Sequence, residues 1–217
     1  PIADTNDTTP TISGTGEPGS TITISDGSTP LGTVTVQPDG TWTFTPTTPL
    51  SEGPHTINVS AQDPYGNTNT TSGTPAHDSE GPFVIDTSAT ATVDIKDDSN
   101  HDDMISSVDN MTQTKLSGTI EAGGSITSLT VKDAVGNTIT IPNTAITLNP
   151  DGTWSAIVDV TSLKDGTLTT TLSAQDALGN SAPVVSDTIE KDTVTTVTLN
   201  PIADTNDTTP TISGTGE

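Results

Sequence analysis

The sequence predicts an all-β fold made of two-sheet sandwiches repeated in tandem. Three observations carry this expectation. Threonine is the commonest residue, at 48 of 217, and its branched side chain favours strands over helices. Apolar residues alternate with polar ones in short runs bounded by Gly, Pro, Asn and Asp, as half-buried strands do. The chain also restates itself: residues 201–217 read PIADTNDTTPTISGTGE, the same as residues 1–17.

That identity sets a long period of 200 residues. A weaker repeat lies inside it. SGTGE at 13–17 answers SGTIE at 117–121, and PDGTW at 38–42 answers PDGTW at 150–154. SAQDPYGN at 60–67 answers SAQDALGN at 173–180, and the Asp-Thr pair at 86–87 answers that at 192–193. The expected organisation is one module over 1–87, a second over 88–193, and the start of a third over 194–217, which is the signature of an array. The simplest reading is a stretch of a longer tandem protein. The modules differ by insertions, within 122–149 of the second and within 72–82 of the first, expected as extended loops or an added edge strand.

The strands can be read in order. In the first module Ile22 and Ile24, Val34 and Val36, Trp42 and Phe44, and Ile57, Val59 and Ala61 are spaced by single polar residues. In the second the apolar faces are Ile126, Val131, Ile139, Ile141, Ile146 and Leu148, then Trp154, Ala156, Val158 and Val160, then Leu172 and Ala174. One wet and one buried face per strand means two sheets packed face to face. Asp-Gly at 39–40 and at 151–152 marks a turn just before each tryptophan strand. About seven short strands per ~100 residues fits an immunoglobulin-like sandwich, each module with one Trp at its centre. The fold expected is therefore all-β, with tandem immunoglobulin-like β-sandwich domains in an elongated end-to-end array.

Composition narrows the function. The charge is -23, with 28 acidic residues, five lysines and no arginine. Such a chain repels phosphate backbones, so nucleic acid is excluded as a partner. No apolar run approaches the ~18 residues of a membrane span, so no membrane insertion is expected. Without cysteine there is no disulfide framework, Cys-ligated zinc or thiol catalysis. Low hydrophobicity with high net charge can mean disorder, but charged residues are only 15% and form no long blocks.

The pattern TNDTTPTISGTGEPGSTITI, PDGTWTFTP and LSEGPHTINVSAQDPYGN, answered by DGTWSAIVDVTSLKDGTLTTTLSAQDALGN, resembles the bacterial Ig-like repeats that form the extender modules of large RTX- and biofilm-associated-type surface adhesins. The resemblance covers nearly the whole chain. It implies a secreted, cell-surface location, a structural role in projecting distal ligand-binding domains, neighbouring repeats of the same chain as the main partners, and a monomer. Any adhesion target would be carried elsewhere in the parent protein. The glycine-rich calcium nonapeptides of RTX proteins are absent, so a type I secretion route rests on analogy alone.

The acids point to calcium. Of the 28, 22 are Asp and six are Glu, and short carboxylates in loops suit a hard cation that takes six to eight oxygens. Asp4, Asn6 and Asp7 cluster in the first module, Asp98, Asn100 and Asp102 at the matching place in the second, and Asp204 and Asp207 in the third. Aligning the Asp-Thr pairs superposes Asp98 on Asp204. With strand A at 89–95 and strand B at 114–121, the Glu121 turn and the loop holding Asp176 and Asn180 share one end of the second sandwich. Asp86, Glu121 and Asp176 are then expected to meet at the module 1–2 junction, and Asp192 with the third repeat at the next. Glu17 is the equivalent of Glu121. If 11–16 is instead strand A, the Asp4 loop becomes the linker and meets Asp63 and Asn67. Either phasing puts Ca2+ at module ends, similar in logic to cadherin repeats. Few cations neutralise these carboxylates, so a divalent ion would turn their repulsion into attraction.

Enzymatic activity is not expected, because no nucleophile elbow, phosphate loop or His pair occurs and the paired acids lack an aromatic cleft. The alternative is that one module itself binds a glycan, ice or host protein, through 72–82 or 122–149.

Overall fold

The computed structural model describes residues 2–68, 82–96, 104–204, 206 and 208–216. The chain divides into two units. Unit 1 holds residues 1–89 and the loop 176–181, and unit 2 holds 90–175 and 182–217. Thr90 thus begins the second unit, two residues after the boundary read from the repeats. Loop 176–181 groups with unit 1 although its chain enters and leaves through unit 2 strands.

Unit 1 is built from seven strands among the described residues: β1 (Ile12–Thr15), β2 (Thr21–Asp26), β3 (Thr29–Thr35), β4 (Thr41–Phe44), β5 (Gly53–His55), β6 (Ile57–Gln62) and β7 (Phe83–Ile85). β1 pairs with β4, β3-β2-β6 form a three-stranded sheet, and β5 pairs with β7, all antiparallel. Ahead of β1 the chain runs parallel to β7 through a bridge between Thr5 and Ile85. Ile12, Ile22, Ile24, Val36 and Trp42 form one buried cluster, and Leu50, Phe83 and Ile85 a second. The alternation predicted for β2 and β4 therefore faces the core.

Unit 2 repeats the plan with longer strands. Its first sheet orders β13 (Ile146–Leu148), β14 (Thr153–Val158), β10 (Thr114–Ile120) and β8 (Ala91–Lys96). Its second orders β12 (Thr138–Thr140), β11 (Ser125–Lys132), β15 (Gly166–Gln175), β16 (Val185–Asp192) and β9 (Met104–Ser106). The β9–β16 pair is parallel, the counterpart of the Thr5–Ile85 bridge. Strand β13 is an edge strand with no counterpart among the described residues of unit 1. It comes from the 122–149 insertion, as one of the two expected forms. A separate ribbon pairs β17 (Val197–Leu199) with β18 (Gly214–Gly216).

Strand pairing decides the open phasing. Gly14 on β1 lies opposite Trp42, as Gly118 on β10 lies opposite Trp154. β1 is therefore the counterpart of β10, strand B, and strand A is β8 in unit 2. The expected core of the second module needs one change of phase. Between Ile126 and Ser128 the β11–β15 register shifts. This bulge turns Leu129 inward together with Val131, both fully buried, where strict alternation from Ile126 would turn them out. Leu148, expected in the core, is largely exposed, because it ends the edge strand.

The SGT repeats have a packing reason. A Cβ on Gly14 would lie 2.6 Å from Trp42 Cζ2, and one on Gly118 would lie 2.9 Å from Trp154 Cζ2 and 2.0 Å from the Thr92 carbonyl oxygen. The indole ring of each unit lies where a side chain would otherwise stand. Gly118→Ala must move strand β8 or the ring, and overpacking of this kind costs about 1–3 kcal/mol. Thermal melting of unit 2 should fall accordingly, while unit 1 keeps its midpoint.

The Asp-Gly turns form as expected. Asp39 Oδ1 accepts hydrogen bonds from the Thr41 amide at 3.0 Å and hydroxyl at 2.7 Å, and Asp151 does the same for Thr153 at 3.0 and 2.7 Å. Gly40 and Gly152 take the positive φ of 81° and 85° that the turn requires.

Candidate metal centre

The local unit of the site is the loop Asp-x-x-Gly-Asn, which occurs three times. In Asp63–Asn67, Asp63 Oδ1 accepts the Tyr65 amide at 2.9 Å and the Asn67 amide at 2.7 Å, and Oδ2 accepts Asn67 Nδ2 at 2.7 Å. In Asp176–Asn180 the same three bonds measure 2.9, 2.8 and 2.6 Å. The third, Asp133–Asn137 between β11 and β12, repeats them at 3.1, 2.8 and 2.7 Å and adds the Lys164 amide on Oδ2 at 3.0 Å. This third loop is not among the expected sites, although its DAVGN at 133–137 repeats the DALGN of 176–180. The motif closes a turn first, and its acids are committed to backbone donors before any ligand arrives.

The loops differ in what they leave over. A carboxylate offers about four lone-pair sites. Asp133 fills all four and is 3% exposed. Burial pushes its carboxyl up, but the Lys164, Asn137 and Gly136 donors outweigh this and hold it at about 2. Its stabilising contribution is therefore present above the ordinary value of 3.8 and is lost as pH falls through about 2. Between those values the melting temperature of unit 2 should drop, and Asp133→Asn should remove that part of the acid limb. Asp176 uses three of its sites and keeps one on Oδ2. Its carboxyl is also held below the ordinary range, burial being outweighed by donors from Asn180, Leu178 and Gly179, so it is ionised at neutral pH.

Asp176 has a second acid beside it. The chain leaving β7 places a carboxylate oxygen of Asp86 within 4.8 Å of one from Asp176. Asn180 Nδ2 ties the two segments, donating to Asp176 Oδ2 and to the Asp86 carbonyl at 2.7 Å. Asn6 Nδ2 donates to the Leu178 carbonyl at 3.1 Å on the same loop. Asp86 Oδ1 accepts the Ser88 amide at 3.1 Å, and the Thr5 carbonyl accepts the Asp86 amide at 3.1 Å. Unit 1 thus gathers Asp86, Asp176, Asn180 and Asn6 around one loop. The two carboxylates offer oxygen only, and this suits calcium rather than a softer metal.

The other expected ligands make hydrogen bonds of their own. Asp4 Oδ1 accepts the Val84 amide at 2.8 Å, which aligns the segment with β7. Asp7 Oδ1 accepts the Thr9 amide at 2.8 Å and hydroxyl at 3.2 Å. Asp63, Asn67 and Glu17 belong to unit 1 loops, away from β7. In unit 2, Glu121 directly follows β10 and its Oε1 accepts the Thr90 hydroxyl at 3.2 Å. Asp192 Oδ1 accepts the Val194 amide at 3.4 Å, and Asp204 is exposed. Asp98, Asn100, Asp102 and Asp207 lie outside the described residues. The alignment of Asp98 with the Asp4 position does not match the strand pairing. Thr5 bridges Ile85 while Ile105 pairs with Lys191, so Met104 occupies the place of Asp4.

His55 and Asp26 form a polar pair in unit 1, with Nδ1 2.6 Å from Asp26 Oδ2. Its Nε2 faces the Ser51 carbonyl at 2.7 Å. Both ring nitrogens are thus engaged in a buried position.

These are immunoglobulin-like β-sandwich units with an acid pair at a loop. Residues 3–87 match the family model described as a bacterial Ig-like domain. Among solved structures, the chain is similar to a tetra-tandem repeat in the extending region of a large adhesion protein, with 30% identity over 99% of this chain and 54% of that one, at a TM-score of 0.43. It is also similar to a 1.5-MDa bacterial ice-binding adhesin, with 19% identity over 90% of this chain and 62% of that one, at a TM-score of 0.49. The chain thus spans about half the length of the first of these. The comparison with curated proteins gave no match. No helix among the described residues is long and apolar enough to cross a membrane.

Proposed function

We propose that the chain is a run of calcium-rigidified extender modules from a giant bacterial surface adhesin, secreted to the cell exterior and serving attachment and biofilm formation by projecting distal binding domains. Tandem repetition of Ig-like units supports the spacer role. The observation that carries the calcium part is the approach of Asp86 and Asp176, two carboxylates within 4.8 Å. Held that close they repel, and a divalent cation relieves the repulsion. Glu121 is a further acid proposed to ligate calcium. Asp192 is the equivalent of Asp86 and would serve the next repeat.

Calorimetric titration of the metal-free chain with CaCl2 tests this. Binding is expected with a Kd of roughly 10⁻⁴–10⁻³ M, the range of extracellular modules. Asp176→Asn keeps the Oδ1 acceptor that closes its loop but removes a charge, and should weaken binding at least tenfold. Asp151→Asn, in a turn of unit 2, should leave it unchanged. Absence of heat at millimolar calcium, or equal affinity in all three proteins, would reject the site.

A further inference from the structure

Unit 1 contains a buried histidine placed between two acceptors. His55, at the end of β5, is 5% exposed. Its Nδ1 lies 2.6 Å from Asp26 Oδ2 on β2, and its Nε2 lies 2.7 Å from the Ser51 carbonyl in the turn before β5. A neutral imidazole has one N–H and one lone pair. It can satisfy one of these acceptors and must turn a lone pair toward the other. Only the imidazolium donates to both. Asp26 adds a second tie, its Oδ1 accepting the Thr56 amide at 3.1 Å.

The other groups around the ring do not compete for the charge. From β7 comes Phe83, whose ring centroid is 5.8 Å away. Glu52, next to Ser51, accepts the hydroxyls of Thr87 at 3.0 Å and Ser88 at 2.9 Å. From β6 comes the apolar Ile57, packed against the Leu50–Phe83–Ile85 cluster.

Unit 2 shows that the fold does not need the pair. Asp26 lies opposite Ile57, and Val131 lies opposite Thr170 in the corresponding register. His55 lies opposite Phe83, as Leu168 lies opposite Ile189. The counterparts of Asp26 and His55 are therefore Val131 and Leu168, both fully buried. The same two positions are apolar in one module and ionic in the other.

We propose that Asp26 and His55 form a proton-dependent clasp peculiar to unit 1, which fixes the β5–β7 ribbon to the end of β2 while the imidazole is charged and loosens it when the proton leaves. The charged form is favoured in the fold: burial works against it, but the Asp26 hydrogen bond and charge and the Ser51 carbonyl outweigh burial and raise His55 above its ordinary 6.5. The clasp is then fully stabilising below pH 6.5 and is lost as pH rises through the raised value.

The test uses the full chain with His77→Asn and His101→Asn, ¹⁵N-labelled on the remaining imidazole, at fixed calcium. Ring-nitrogen shifts followed from pH 5 to 9.5 should show His55 doubly protonated at 6.5 and neutral only at higher pH. Melting followed by methyl signals of Ile24 and Ile85 should give a midpoint that is flat at acid pH and falls by several degrees above it. Asp26→Val with His55→Leu, the residues of unit 2, should abolish that fall, and signals of Leu116 and Leu168 should not show it in either protein. A ring already neutral at 6.5, or an undiminished fall in the double variant, would overturn the clasp. Should the double variant not fold, the ring titration decides alone.

Discussion

Trp154→Ala is expected to cost unit 2 about 3–5 kcal/mol, as truncation of a buried tryptophan does. The ring is 2% exposed and lies over Gly118, so no neighbouring side chain can swing in to fill the space. Against a domain stability of about 5–15 kcal/mol this loss approaches unfolding at 37 °C. Denaturant unfolding followed by NMR should show unit 2 melting early and unit 1 unchanged. Phenylalanine separates packing from hydrogen bonding. Trp42 Nε1 donates to the Thr15 carbonyl at 3.3 Å, whereas Trp154 Nε1 is buried without an acceptor among the described residues. A buried donor left unpaired costs about 1–3 kcal/mol. Trp154→Phe should therefore be milder than Trp42→Phe, and the reverse order would mean that the unpaired indole is not a cost.

Calcium removal is the second large effect. At tenfold excess over Kd, one site adds about 1.4 kcal/mol to the state that binds. For units of ~100 residues this corresponds to a rise of roughly 5–10 °C in melting temperature, and each further site adds to it. Chelation should reverse the rise. Small-angle scattering should show a particle of larger maximum dimension with calcium than with chelator. Asp86→Asn combined with Asp176→Asn should lose this site's share of the calcium-dependent rise, because both charged ligands are gone. Equal melting of the wild-type chain with and without calcium would sink the metal assignment and leave the fold untouched.

Much of the fold was legible because its signals are local. Alternation in TITIS and TWTF and the Asp-Gly turns each act over a few residues, and all appear where read. The Asp-x-x-Gly-Asn acids were legible as residues of a loop but not as acceptors of its amides. A pattern of acids looks the same whether it binds backbone or metal. Leu129 was missed because a single bulge reverses which side of β11 faces inward.

The sequence by itself determined the all-β class, the module repeat, the tryptophan at each centre and the abundance of hard oxygen donors. All of these follow from side-chain chemistry and short-range spacing. The tertiary structure alone decided which strand pairs with which, and so which acids meet. The bulge between Ile126 and Ser128 decided that Leu129 and Val131 both face inward, fully buried. Partner and burial are set by what packs against a strand, and in the same way Asp86 and Asp176, 90 positions apart in the chain, become neighbours only when the sheets close.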